Sequence, residues 1–559
     1  MQYGVVVDKS YEKAWVHFEK AAELGHIESL IKVHQTNSLY ELCSVKEEKN
    51  VYEDAYGVKY SKDKKILIYG GYQKRAELQI ARGTRIISDY AFNMGDIGKL
   101  IIPSSVVAIG KNPFTKSGWG RCTIKNVVCH SPQFEVSGSA LYTKNGKKLI
   151  SYFGRAQKFA IPEGVETIGS RAFLENEDLK DIVLPKSLMF IEDAAFEYCL
   201  NLRRILLPKN VTQISNQCFY GCESLEDVII QGEVKKVGEE AFKGCNIKEL
   251  SLPKSLIEIG DNAFNSNKSL ETISLPENVR RIGKSSFAFC SLNHVSLNDR
   301  LEEIDDLCFY DCPIASLVIP SNVKSMGVNP FIGTATIKCG ENCAYVAENG
   351  LLYDKQSGGV ISHYSEPEVA LYPPIKHVNS LAFYNSNATD IFMGSNIVEV
   401  SAWAFYNADR LEKIMWRKSR VSEIPMGCFG NCSKISKIDI PSWVKTIHKG
   451  SFFDCYDMRK VRFDGVITAN EEMFSRIERA TYIPFSYSPR HQLMGSTICE
   501  WRKRDVDPNT FPLIEIIVPQ NTSKNFSFSP IYDHDTCNTH KYYGYGMDRR
   551  FIIKEDENE

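Results

Sequence analysis

The sequence carries almost no charge imbalance: 67 Lys and Arg against 69 Asp and Glu leave a formal charge of −2. That removes any overall pull toward nucleic acid or acidic lipid, so electrostatic steering must come from local patches. No apolar run approaches the roughly 18 residues of a membrane-spanning helix. The first residues, "MQYGVVVDKSYEKAW", lack the charged start, apolar stretch and small-residue cleavage site of a secretory signal. Nucleophile-elbow, phosphate-loop, dinucleotide and H-E-x-x-H patterns are missing as well, and the 11 His are scattered. We therefore expect no catalytic residue and no cofactor, and do not read the chain as an enzyme.

What the sequence does have is a regular Phe. After Phe173 it recurs at Phe196, Phe219, Phe242, Phe264, Phe287, Phe309 and Phe331, in steps of 22 or 23 residues. A second run is Phe383, Phe405, Phe429, Phe452 and Phe474, and a short first one is Phe92 and Phe114. A period of this length predicts a solenoid, whose units bury their apolar faces against their neighbours. The size limit of an ordinary globular core does not apply to such a stack.

Ten of the 17 cysteines follow the same beat. Cys199, Cys222, Cys245, Cys290, Cys312, Cys432 and Cys455 each lie three residues after a repeat Phe, and Cys218, Cys308 and Cys428 stand directly before one. Residues phased in this way read as small core fillers. A zinc centre would want four convergent ligands, and an odd count suits reduced thiols better than a disulfide framework. No metal site is expected.

Aligned units read "LKDIVLPKSLMFIEDAAFEYC", "LRRILLPKNVTQISNQCFYGC" and "IKELSLPKSLIEIGDNAFNSN". The I-x-L step has period two and predicts a short strand. The following Pro ends it and turns the chain. A second short strand (V-x-x-I) and a turn carrying Ala-Phe complete the unit. The consensus L-x-x-I-x-L-P-x-x-V-x-x-I-G-x-x-A-F-x-x-C resembles the BspA-like leucine-rich repeats over residues 51–518. The expected fold is a β-rich leucine-rich-repeat solenoid of about fifteen 22–24-residue units with three β-hairpin insertions.

The insertions resemble one another. "GVKYSKDKKILIYG", "ALYTKNGKKLISY" and "LLYDKQSGGVISHY" each place a polar turn between two apolar stretches, which is a hairpin signal. The second and third follow an Asn-Pro-Phe unit, as such hairpins often do in the family it resembles. Hairpin-led blocks are expected at about 51–121, 122–338 and 339–480. We read the first hairpin as an N-terminal cap and the other two as protrusions or kinks.

Residues 1–30 carry apolar residues at helical spacing (Tyr11, Ala14, Phe18, Ala21, Ala22) with Gly25 as a stop. They resemble a partial Sel-like repeat, a helical relative of tetratricopeptide units, and predict a short α-helical segment. Residues 31–50 read as a linker, 481–518 as a C-terminal cap whose Ile514–Val518 covers the last sheet edge, and 519–559 as a flexible polar tail. Within that tail, His534, Cys537 and His540 are too few and too isolated to predict a metal site.

With no chemistry to assign, the outward strand positions remain. In the last block they predict a basic column of Lys413, Lys437 and Lys460, with Arg462, Arg417, Trp403, Trp416 and Trp443 nearby. Aromatic residues beside Arg are the make-up of binding hot spots, so these eight residues are the candidate partner-binding surface. The reading is a non-catalytic scaffold presenting its sheet face to a protein or glycan, with no nucleic acid expected. The family resemblance implies adhesion or host interaction for exported members, and an intracellular adaptor joined to Sel-like repeats is the alternative. A cytoplasmic protein is expected from the sequence as written; a bacterial cell-surface or secreted one is the alternative if its start is truncated.

Overall fold

A computed structural model describes residues 51–71, 73–92, 95–114, 123–467, 471–474, 513–520 and 550–555. The expected helix at 1–30, the linker at 31–50 and the cluster at His534, Cys537 and His540 lie outside them. Among the described residues there is no α-helix, only a single 3-10 turn at Glu471–Phe474. The chain divides into two units, Met1–Ser291 and Leu292–Glu559.

Each repeat contributes two short strands, and equivalent strands stack in parallel. In the first unit Lys158–Ala160, Asp181–Val183, Arg204–Leu207, Asp227–Ile230 and Glu249–Leu250 form one sheet, its register advancing one repeat per step (Arg204 beside Asp227, Ile205 beside Val228). The I-x-L alternation buries Ile205 and Leu207 and exposes Arg204 and Leu206, as a strand's two-residue period requires. The Pro that follows closes a tight turn with its carbonyl: the amide of Val211 donates to Pro208 at 3.1 Å, and Leu256 to Pro253 at 3.0 Å. The second strands, Gln213–Ile214, Lys236–Val237, Glu258–Ile259 and Arg281–Ile282, make a second parallel sheet.

The Phe turn forms a third ladder. Phe196 N–H donates to the Cys218 carbonyl at 2.9 Å, and Phe219 to Ala241 at 2.8 Å. The residues two before and two after Phe also donate to the next repeat: Ala194 to Asn216 at 2.9 Å, and Tyr198 to Tyr220 at 2.7 Å. Both have a left-handed backbone (φ 57° and 55°), as do Gln217, Glu240, Asn262 and Ser266 at the same places. A non-Gly residue there costs on the order of 1–2 kcal/mol. The alternation aims every second amide at the neighbouring repeat, which offsets that cost. The Phe rings stack above one another: Phe196, Phe219, Phe242 and Phe264 lie 5.2–5.4 Å apart, 5–8° from parallel. In the second unit Phe405, Phe429 and Phe452 repeat the arrangement at 5.0 and 5.5 Å.

The phased cysteines fill this core and bond within it. The thiols of Cys199, Cys222 and Cys245 donate to the carbonyls of Phe173, Phe196 and Phe219, each at 3.1 Å. Where Asn267 replaces Cys, its amide donates to the Phe242 carbonyl at 2.8 Å. Burial pushes the thiols of Cys199, Cys218, Cys222, Cys428 and Cys432 well above their ordinary range, so they carry little thiolate with which to react.

The reading of the later two hairpins as protrusions does not hold. Each insertion is a three-stranded antiparallel meander whose last strand continues in parallel into the second sheet of its own block. Phe134–Ser137, Ala140–Thr143 and Lys148–Tyr152 lead into Thr167–Ile168, and Tyr345–Glu348, Leu351–Asp354 and Gly359–His363 into His377–Val378. The first meander, Val51–Ser61 with Ile66–Tyr69, leads into Ile86–Ile87. Each thus opens a new stretch of sheet and covers its edge.

An insertion also interrupts the Phe-turn ladder, and the Asn of the Asn-Pro-Phe unit bridges the gap. Asn329 is buried, has φ 30°, and donates its side-chain amide to the Leu381 carbonyl at 2.6 Å, across 52 residues. Asn112 (φ 26°) bonds the Arg171 carbonyl in the same way and accepts from Ser151. Both acceptors stand two residues before the next repeat Phe, while the ladder carbonyls of Ala172 and Ala382 are met by the backbone amides of Tyr152 and His363 at 2.8 and 2.9 Å. Beside the second bridge, His363 stacks on Phe383 (5.3 Å) and bonds Ser386 through Nδ1 at 2.8 Å. Tyr152 holds the equivalent place against Phe173.

At the far end Leu513–Val518 pairs with Lys460–Phe463, but it is not the last strand. Arg550–Glu555, inside the stretch read as a flexible tail, pairs beyond it with Leu513 beside Arg550. Phe551 and Ile553 turn toward the core, and Phe551 stacks on Phe474 at 5.4 Å.

Two predictions follow from the bridges and from His363. Replacing Asn329 or Asn112 with Ala removes a side-chain hydrogen bond that spans the insertion, at an expected cost of about 0.5–1.5 kcal/mol in urea unfolding; an unchanged midpoint contradicts the bridge. Burial lowers the pKa of His363 from 6.5 to about 4. The unfolded chain then binds the extra proton, so stability drops as pH falls from 6.5 to 4, by up to about 3 kcal/mol. His363→Tyr, which copies Tyr152, is expected to lose that component of the pH slope.

Candidate partner-binding surface

The outward strand positions on which the candidate surface was placed are exposed or half-buried throughout, but the predicted residues divide. Trp403 and Trp416 are only 6% and 7% exposed. Trp403 takes one of the left-handed positions before a repeat Phe (φ 65°) and packs edge-on against Tyr406 and Phe453 at 5.4 and 5.9 Å. Trp416 packs edge-on against Phe429 at 6.5 Å, its indole N–H buried without a hydrogen-bond partner. Both serve the core, and neither is available to a partner. Trp403 fills the slot that holds Ala194, Leu307 and Leu381 in other repeats, and Trp416 the inward place two after Ile414.

Trp443 remains, 37% exposed, together with Arg417, whose guanidinium lies 5.4 Å over the Phe392 ring. Of the three lysines, two are register partners. Lys413 belongs to a sheet with Glu368–Leu371 and Asp390–Met393, directly beside Asp390, with 3.8 Å between its ammonium and that carboxylate. Lys437 and Lys460 are register partners in a separate sheet. Lys437 contacts Asp439 at 3.1 Å and Arg462 contacts Asp464 at 3.1 Å. Beyond Lys460 comes Glu515, whose carboxyl is held below its usual range by the Lys554 hydrogen bond at 2.7 Å. Acids flank the lysines at Asp390 and Glu515, and only Lys437 and Lys460 stand side by side; exposed pairs of this kind contribute little to stability.

A different column stands out in the first unit. At the second outward position of successive paired strands come Ala160, Val183, Leu206 and Ile229. Val183 is 63% exposed and Leu206 42%. At the first outward position the charges alternate: Lys158, Asp181, Arg204, Asp227, with Lys158 and Asp181 paired at 3.3 Å. The signal lay in the period-two pattern, where these positions were outward but not singled out. Among the described residues no group of three His, Cys, Asp or Glu stands close enough to hold a metal ion, and no helix is long and apolar enough to cross a membrane.

The model of the BspA type leucine rich repeat region matches residues 69–150, 143–271, 258–349 and 367–487. The chain belongs to this family. No curated protein gives a match. Among solved structures the chain is similar to a leucine rich cell surface protein from Faecalibacterium prausnitzii, at 23% identity over 60% of this chain and 90% of that one (TM-score 0.48). It is also similar to a leucine-rich repeat protein from Bacteroides ovatus, at 19% identity over 75% and 97% (TM-score 0.42). The pneumococcal vaccine antigen PcpA matches at 16% identity over 71% and 96% (TM-score 0.43). The repeat consensus accounts for the buried Phe, Cys and Pro slots and does not specify the outward strand positions.

The two classes of Trp separate in a stability measurement. Trp403→Ala is expected to cost about 3–5 kcal/mol as a large core deletion, and Trp443→Ala less than about 0.5 kcal/mol. Equal shifts in the urea midpoint would contradict this division.

Proposed function

We propose that the chain is a non-catalytic interaction scaffold that presents the outward faces of its I-x-L sheets to a protein partner. The observation that carries this reading is the exposed, in-register apolar column Ala160–Val183–Leu206–Ile229 beside a column of alternating charge. Inner strands already pair on both sides, so a partner meets side chains and not free backbone edges. Apolar anchors flanked by charge supply affinity and register respectively. Lys413, Lys437, Lys460, Arg462, Arg417 and Trp443 form a second, more polar candidate patch in the other unit. Adhesion, which the family resemblance implies for exported members, is the same contact made from a surface.

Paired substitutions test the reading in the intact chain. Val183→Asp with Leu206→Asp is expected to lower the yield of captured proteins at least tenfold, while Lys254→Glu in a neighbouring turn leaves it unchanged. Reversing Lys413, Lys437 and Lys460 to Glu probes the second patch separately. Capture of the same proteins at the same yield by both multiple variants would sink the proposal.

A further inference from the structure

The apolar column of the first unit has a definite length. It starts at Ala160 on the first strand of its sheet, continues through Val183, Leu206 and Ile229, and stops where Ser251 takes the next place. The charged column beside it has the same bounds. Lys158, Asp181, Arg204 and Asp227 change sign at every step, and the alternation ends at Glu249, which stands beside Asp227. An apolar stripe and a regular charge pattern thus cover the same strands. In the other unit the corresponding places are Ala370, Phe392 and Met415, in register after the third meander. There Arg417 already lies over the Phe392 ring, and the neighbouring Glu368 and Asp390 share one sign. Val183 and Leu206 keep exposed faces among the described residues.

We propose that this surface takes one amphipathic α-helix of a protein partner, lying along the stacking axis for about three turns. The inference rests on the scaffold reading above and adds what kind of element the scaffold holds. Spacing decides between the shapes a partner can offer. Strands stack about 4.8 Å apart, and a helix presents a side chain along one line about every 5.4 Å. Over the steps from Ala160 to Ile229 the two fall out of step by only about 2 Å, less than the width of a side chain. An extended segment brings side chains to one face about every 6.6 Å, and its mismatch grows to about 5 Å, a whole place in the column. Strand addition is closed as well, because Asp181–Val183 and Arg204–Leu207 each pair on both sides.

Charge then sets the register. A helix seated on the column meets Lys158, Asp181, Arg204 and Asp227 along one side, so that side must read acid, base, acid, base on successive turns. Moving it by one turn sets like charges opposite each other, which costs affinity. Glu and Lys four residues apart also pair with each other along a helix, so the pattern this surface selects is one that stabilises the helix itself.

The full chain is titrated against fluorescein-labelled synthetic peptides of about four turns, with binding read by anisotropy. The first peptide carries Leu once per turn and a flank reading Glu, Lys, Glu, Lys. The second keeps the Leu stripe with Glu at every flank place, and the third scrambles the first so that its Leu residues share no face. The first is expected to bind at least tenfold more tightly than either, and to lose at least tenfold on Val183→Asp with Leu206→Asp. Arg204→Glu, at an exposed place, should weaken the first peptide at least threefold and leave the third unchanged. No binding of the first peptide, equal affinity for all three, or binding that survives the Asp pair would each overturn the proposal. The capture experiment decides the scaffold reading separately: loss of capture without a preference for the first peptide would keep the scaffold and reject the helix.

Discussion

The rest of the structure depends on the turn that carries the repeat Phe. A parallel stack needs every unit to present donors and acceptors along one axis, and the two short strands alone leave the third side open. Here that side is closed by an alternation of right- and left-handed backbone that sends the amides at Phe and two residues either side of it to the next repeat. The left-handed positions are unfavourable one by one. They persist because the stacked Phe rings, spaced about as far apart as the strands, hold each turn against the next.

The departures from the consensus answer to the same constraint. A Cys three residues after Phe donates to the preceding repeat's Phe carbonyl, and Asn267 does so with an amide, so the slot selects a short donor more than it selects sulfur. Where a meander breaks the ladder, the amides of Tyr152 and His363 take the carbonyl before the next Phe, and Asn112 and Asn329 add a side-chain hydrogen bond across the insertion. At the end of the second unit, Arg550–Glu555 continues the sheet beyond Leu513–Val518, and Phe551 extends the ring stack past Phe474.

Much of this was legible in the sequence because burial in a repeat is periodic. The Phe beat located the core, the Pro slot located the end of each first strand, and the matching hairpins located the insertions. Three things escaped that reading. The first strand of each later meander was passed over, although the two-residue turns Gly138–Ser139 and Asn349–Gly350 set it off from the next strand. Arg550–Glu555 follows a long polar stretch, and its short alternation draws meaning only from the edge it covers. Trp403 and Trp416 look like surface aromatics in a basic stretch, yet Trp403 takes the left-handed place two before Phe405 and Trp416 the inward place two after Ile414, and both are buried. The lysine column is interrupted by acids that sequence spacing does not bring together: Asp390 stands beside Lys413, and Glu515 beside Lys460.

Function in such a scaffold lies in what the ladder leaves outside, and the outward columns have meaning only if the ladder is real. Amide hydrogen exchange resolved to the Phe turns is the most direct measurement of that ladder. The amides of Phe196, Phe219, Phe242 and Phe264 each bond the neighbouring repeat beneath a buried ring. They should exchange slowly and at a common rate set by unfolding of the stack, far behind the exposed turn amides such as Lys209. Exchange of the Phe amides at the rate of those exposed turns would contradict the account.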